Sequence, residues 1–195
     1  SEIAETYLLE NIGEIGYHIR KEFGGKPMNP VIAYEKQLYF PTKKDYLVSL
    51  ITHEDTYLIW KYLYFLRREE AASNKLTQYY WRRGKNDLGA KLGIIIYAGT
   101  CGKGLRIWHY GSTIISGDAK LGENCTFHGQ ACIGNDGHST DAPVIGNNVD
   151  IGVGAKLIGG ITIADGVKIG AGAVVTKSCL EEGATLVGVP AKRIR

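Results

Sequence analysis

The chain has 195 residues, 44% of them hydrophobic and 22% charged, and 23 basic against 20 acidic side chains leave a formal net charge of +3. That balance describes a folded protein of one or two domains, and the charges are interspersed without a like-charged run, which excludes a nucleic-acid or polyanion surface. No stretch reaches the ~18 apolar residues of a membrane span and no basic-then-apolar leader opens the chain, so the expected place of work is the cytoplasm.

In chain order, Ala4, Leu8, Ile12, Ile15, Ile19 and Phe23 recur every three or four residues and predict one amphipathic helix. The stretch GGKPMNP, residues 24–30, ends it, because two glycines and two prolines cannot continue a helix. Thr42 and Asp45 have the spacing of a helix-entry cap. TYLIWKYLYFLRREEAA, residues 56–72, is apolar around most of its circumference and predicts a helix that is buried or packed on another subunit. A third helix is expected over about Ser73–Arg83, stopped by Gly84. Aromatic residues concentrate before Gly89 and glycines after it, dividing the chain into a helical part, residues 1–88, and a second domain, residues 89–195.

From Ile115 the period changes to six. Ile115, Leu121, Phe127, Ile133, Ile145, Ile151, Leu157, Ile163, Ile169 and Val175 share one phase, broken only at Ser139, and Ala119, Cys125, Ala131, Val149, Ala155, Val167 and Ala173 follow four places later. Short strands joined by tight corners produce this pattern, each side contributing one inward aliphatic and one small corner residue. Three sides close a coil of about eighteen residues, and a coil needs neighbours above and below to bury its interior; the sequence holds roughly four. Cys101, Cys125, Cys132 and Cys179 form no CxxC pair and read as small buried side chains without disulfides.

Upstream, Ile95, Cys101 and Ile107 carry the phase, and the step from Ile107 to Ile115 is eight residues instead of six. Two extra residues therefore bulge out beside His109, where a side chain can be aimed outward. Three sides on from Ile107 is Phe127, which sets His128 one coil above His109 and offset by one position. The lost aliphatic in GNDGHSTDAP, residues 134–143, predicts a projecting loop.

These repeats, the segment GKGLRIWHYG and the closing GVPAKRIR resemble the hexapeptide-repeat acyltransferases, in particular their serine acetyltransferase-like branch, over about Gly93 to Arg195. The resemblance implies a mainly β fold, a left-handed parallel β-helix behind a small helical domain, assembled as a homotrimer with acetyl-CoA in the cleft between subunits. It implies His109 as the general base that deprotonates an acceptor hydroxyl attacking the thioester. Imidazole, with an unperturbed pKa of about 6.5, keeps a neutral base available near pH 7. A backbone N–H of the coil would stabilise the oxyanion, and no cysteine has the neighbours of a covalent nucleophile. For the coenzyme the resemblance points to Gly134, Gly154, Ala155, Gly172 and Ala173, with Lys177 and Lys192 as phosphate partners by charge.

The chain departs from the branch at three positions: Trp108 replaces the aspartate before the histidine, Ile94 the upstream orienting aspartate, and Ala142 the second histidine. An amino-acid acceptor needs countercharges that tryptophan lacks, whereas its flat face suits a sugar ring. The expectation is therefore an O-acetyltransferase acting on a sugar or polysaccharide precursor, resembling those of capsule and exopolysaccharide biosynthesis, with serine O-acetylation in cysteine biosynthesis as the alternative and a non-catalytic solenoid scaffold as a third reading. Trp108, His128, Asp136, His138 and Asp141 are the candidate acceptor-binding residues. The histidine spacing does not match the three-histidine zinc sites of a related β-helix family, so no metal is expected. YYWRRGK, residues 79–85, is expected to pack a helix on the solenoid rim, with a saccharide or lipid pyrophosphate contact as the alternative.

Overall fold

The computed structural model describes residues 28–194, so the amphipathic helix expected over Ala4 to Phe23 lies outside the described residues. Among the described residues four helices come first: α1 (Pro30–Tyr39), α2 (Lys43–Thr52), α3 (Asp55–Glu70) and α4 (Lys75–Leu92). Helix α1 starts on the last residue of the stretch read as a breaker: Asn29 caps it by accepting from the Val31 amide, and Pro30 occupies the first turn, where its missing N–H costs nothing. Thr42 and Asp45 form a reciprocal capping box on α2, as their spacing predicts. Helix α3 is the buried apolar helix expected, with Tyr57, Ile59, Tyr62, Leu63 and Leu66 almost without solvent contact.

Helix α4 runs eight residues past the stop expected at Gly84 and past the boundary expected at residue 88. Gly84 sits inside it, with Phe65 of α3 at an ordinary contact distance of about 3.5 Å from where a Cβ would lie, and the packing of the whole helix on α3 offsets the roughly 1 kcal/mol helix cost of glycine. The helix ends at Gly93, in the left-handed region at φ 67°. Trp81 packs edge-on against Tyr64, and Lys85 reaches the Ile96 carbonyl at 2.9 Å, so residues 79–85 do pack the helix on α3 and the solenoid's first strand, leaving Tyr79 and Tyr80 exposed.

Fourteen short strands follow, from β1 (Ile94–Ile96) to β14 (Lys192–Arg193), in three sheets. The first sheet is ordered β1-β3-β6-β9-β12, the second β10-β7-β4, and the third β14-β13-β11-β8-β5-β2. Every pairing is parallel except that of β13 (Thr185–Val187) with β14. All ten phase-carrying residues from Ile115 to Val175 are buried, as are the seven small corner residues. Stacked inward columns such as Ile107, Phe127, Ile151, Ile169 and Leu186 form a continuous core with that of the helices. Ile95 is a correction: it is half exposed, while Ile94 and Ile96 point inward, and Ile96 pairs with Ile115. The irregular first coil therefore adds a fifth rung to the first sheet. Burial pushes the Cys101 thiol up to about 12 and the Cys125 thiol up to about 11, which fits inert packing groups.

Candidate active site

Strands β2 (Arg106–Ile107), β5 (Thr126–Phe127) and β8 (Asp150–Ile151) lie side by side, Ile107 opposite Phe127 and Phe127 opposite Ile151. Because side chains alternate, Arg106, Thr126 and Asp150 form one outward column. Trp108 and His128 extend the next, and their rings stack with centroids 6.5 Å apart and planes 17° from parallel. His128 is thus one coil above and offset from His109, as counted.

On the next side Ile114 of β3 (Thr113–Ile115) pairs with Cys132 of β6 (Cys132–Gly134), which aligns Gly111 with Gly129 and Ser112 with Gln130. The two corners share positive φ angles, 106° and 42° against 117° and 54°. With Trp108 aligned to His128, the two inserted residues are His109 and Tyr110. Both are exposed, and their amide N–H groups make no hydrogen bond among the described residues.

Helices α1 and α4 hold this insertion from both sides. Upstream, the Tyr39 hydroxyl accepts from the Ile107 amide at 2.6 Å and donates to the Ile107 carbonyl at 3.3 Å, closing the open edge of β2. Burial raises the Tyr39 phenol well above its ordinary range, so it remains a neutral donor. Downstream, the Gly111 and Thr113 amides donate to the Leu92 and Gly93 carbonyls at the end of α4.

Across the coil, a Cβ on Gly129 would stand 3.0 Å from the His109 carbonyl oxygen and 3.4 Å from its Cβ, at a φ that side chains disfavour. Gly129→Ala is expected to displace His109, costing about 1–3 kcal/mol of stability. A urea midpoint and a turnover assay on the same preparation would check it; wild-type values for both would show that this close approach is unimportant.

Asp150 accepts a hydrogen bond from His128 Nε2 at 2.8 Å. The Arg106 guanidinium lies 3.9 Å over the Trp108 ring, so the indole already carries an intramolecular cation on a face. Asp150 and Arg106 were missed in the sequence. Reaching Asp150 from His128 requires counting one coil lengthened by the loop after residue 134.

The other candidates are scattered. Asp136, His138 and Asp141 are exposed on the loop between β6 and β7 (Val144–Ile145), which does project as expected. Asp136 accepts from the amides of His138 and Ser139, and these bonds hold its carboxyl below the ordinary range. Within one chain this loop leaves the far end of the first sheet's strands, away from the corner that carries His109. Gly154 and Gly172 share a corner column with Gln130, whereas Gly134 is at the opposite end of β6. Ala155 and Ala173 are wholly buried, their amides donate to the Gly152 and Gly170 carbonyls, and their own carbonyls accept from Cys132 and Lys156. Lys177 and Lys192 are exposed. Of the three departures, Ile94 is buried in the core and Ala142 half-buried beside Pro143. Among the described residues no group of three or more His, Cys, Asp or Glu is placed to hold a metal, and no helix is long and apolar enough to cross a membrane.

Two cavities, about 510 and 520 Å³, open at the α4–β1 junction around Glu69, Lys85 and Tyr97, and on α1–α2 around Lys36, Phe40 and Tyr46; neither is lined by His109.

No family model matches the chain. A serine acetyltransferase of Helicobacter pylori strain 26695 is 37% identical over 127 residues, covering 63% of this chain and 74% of that protein. The chain belongs to the serine acetyltransferase family. The family's enzyme from Buchnera aphidicola of Schizaphis graminum is 35% identical over 135 residues, 62% of this chain, which spans about half of that relative, 51% of its length. Among solved structures, Neisseria gonorrhoeae serine acetyltransferase in complex with serine superposes with a TM-score of 0.63 at 26% identity, covering 85% of this chain and 66% of that one. Serine acetyltransferase of Brucella abortus strain S19 in complex with coenzyme A gives 0.65 at 22% identity, over 84% and 65%, a likeness of fold. The fold is the left-handed parallel β-helix with helices ahead of it that the family resemblance implies.

Proposed function

We propose that the chain is an acetyl-CoA-dependent O-acetyltransferase with L-serine as acceptor and His109 as general base. The observation that carries this reading is the two-residue insertion at the corner between β2 and β3. It sets an exposed imidazole outside an otherwise regular wall, in a chain whose family acts on serine. His109 takes the serine hydroxyl proton as the oxygen adds to the thioester carbonyl. The unbonded amides of His109 and Tyr110 supply donors for the oxyanion; collapse then forms O-acetylserine and expels the thiolate, which takes the proton from His109 and leaves as CoA, restoring the neutral base. The pantetheine arm is assigned to a groove completed by a neighbouring copy, in a homotrimer, as the family resemblance implies. Gly134, Gly154, Ala155, Gly172, Ala173, Lys177 and Lys192 remain its proposed neighbours, and a partner's loop is the route by which Asp136, His138 and Asp141 would come near an acceptor.

A saccharide acceptor of the capsule or exopolysaccharide kind is not supported. It rested on the missing countercharges for an amino acid and on the flat face of Trp108, one side of which Arg106 covers. The test is CoA thiol release from acetyl-CoA with and without L-serine. Serine-dependent release is expected, and release that ignores serine would overturn the acceptor assignment. Failure to bind acetyl-CoA at all would leave the solenoid as a scaffold.

A further inference from the structure

The family's countercharge beside the catalytic histidine is absent at Trp108, yet a carboxylate stands on the same outer face. An ionised carboxylate only accepts hydrogen bonds, so the 2.8 Å contact fixes the proton of a neutral His128 on Nε2 and leaves Nδ1 as an acceptor. The second Asp150 oxygen makes no hydrogen bond among the described residues, although Lys168 stands opposite in register on β11 (Lys168–Ile169). Both side chains are about half exposed, 44% and 46%, and are therefore open to a ligand. Together they present two acceptors and one negative charge. His128 immediately precedes Gly129, the residue over which His109 lies.

We propose that Asp150 and His128 receive the ammonium group of the acceptor, replacing the aspartate lost at position 108. This inference rests on the serine reading and deepens it to a requirement for a primary ammonium beside the reacting hydroxyl. Asp150 bonds the cation with its free oxygen and orients His128, whose Nδ1 takes a second N–H. The Trp108 ring stacked on His128 limits the turning of the imidazole.

The test compares L-serine with 3-hydroxypropionate, which keeps the hydroxyl and carboxylate but has no ammonium, using the full-length protein and CoA release. Asp150→Asn keeps the shape and removes the charge. It is expected to raise KM for L-serine about 10–100-fold, the worth of a charge-assisted hydrogen bond, with kcat nearly unchanged and with no effect on 3-hydroxypropionate. Asp150→Glu should recover part of the serine affinity. Equal changes for both acceptors, or none for either, overturn the proposal. A wild-type protein that releases no CoA in response to serine overturns the serine reading itself, before any variant is compared.

Discussion

Replacing His109 by alanine is expected to lower kcat for serine-dependent CoA release by about 10²–10⁴-fold, the range for loss of a positioned general base. The variant should otherwise be intact. The ring is exposed, has no hydrogen-bond partner among the described residues and fills no part of the core, so its removal leaves no cavity and no orphaned polar group. Thermal midpoint, assembly state and coenzyme affinity are therefore expected to match the wild type, and a fall in kcat alone isolates the chemistry. The neighbouring imidazole provides the competing outcome. His128, unlike His109, has a carboxylate orienter, the usual mark of a positioned base. Near-normal turnover in His109→Ala with loss of kcat in His128→Gln would transfer the role of base to His128 and leave the proposed ammonium subsite without its second acceptor.

The solenoid was legible because an inward position in a narrow coil takes an apolar residue at every side, so period and burial coincide from Ile115 to Val175. The first coil was not, for a local reason. Ile94, Ile95 and Ile96 are chemically interchangeable, and it is the left-handed cap at Gly93 and the pairing with β3 that turn the outer two inward. Gly84 misled, because a glycine tolerated inside a packed helix read as a stop. His109 was found by an arithmetic excess of two residues. Its supports, Tyr39 and the end of α4, are separated from it in sequence in ways that no periodicity marks. Asp150 was hidden because the loop after Gly134 lengthens its coil, so an eighteen-residue count from His128 passes it by.

The same distance hid the group on which the first coil's position depends, and Arg67→Met is expected to destabilise the protein by about 3–5 kcal/mol. Arg67 is buried and spends its fork on three elements. Nε and Nη2 donate to Glu35 of α1 at 2.7–3.1 Å, Nη1 to Glu70 at 2.9 Å and to the Cys101 carbonyl at 2.8 Å, and Nη2 to the Gly102 carbonyl at 2.6 Å. Glu35 in turn accepts from the Gly104 and Leu105 amides, at the approach to β2. Removing the guanidinium strands a buried carboxylate and two carbonyls at once, whereas lysine offers a point charge without the fork. Arg67→Lys should therefore recover only part of the loss. Pairing Arg67→Met with Glu35→Leu removes the unmatched charge and should restore more, though the Gly104 amide and the Cys101 and Gly102 carbonyls keep the double variant below wild type. Urea midpoints at constant slope measure all three. Because this cluster anchors the chain entering β2, the single variant should also lose turnover at temperatures where it is still folded, as His109 loses its fixed approach. An Arg67→Met protein as stable and active as wild type would mean that apolar packing alone docks the helices on the solenoid.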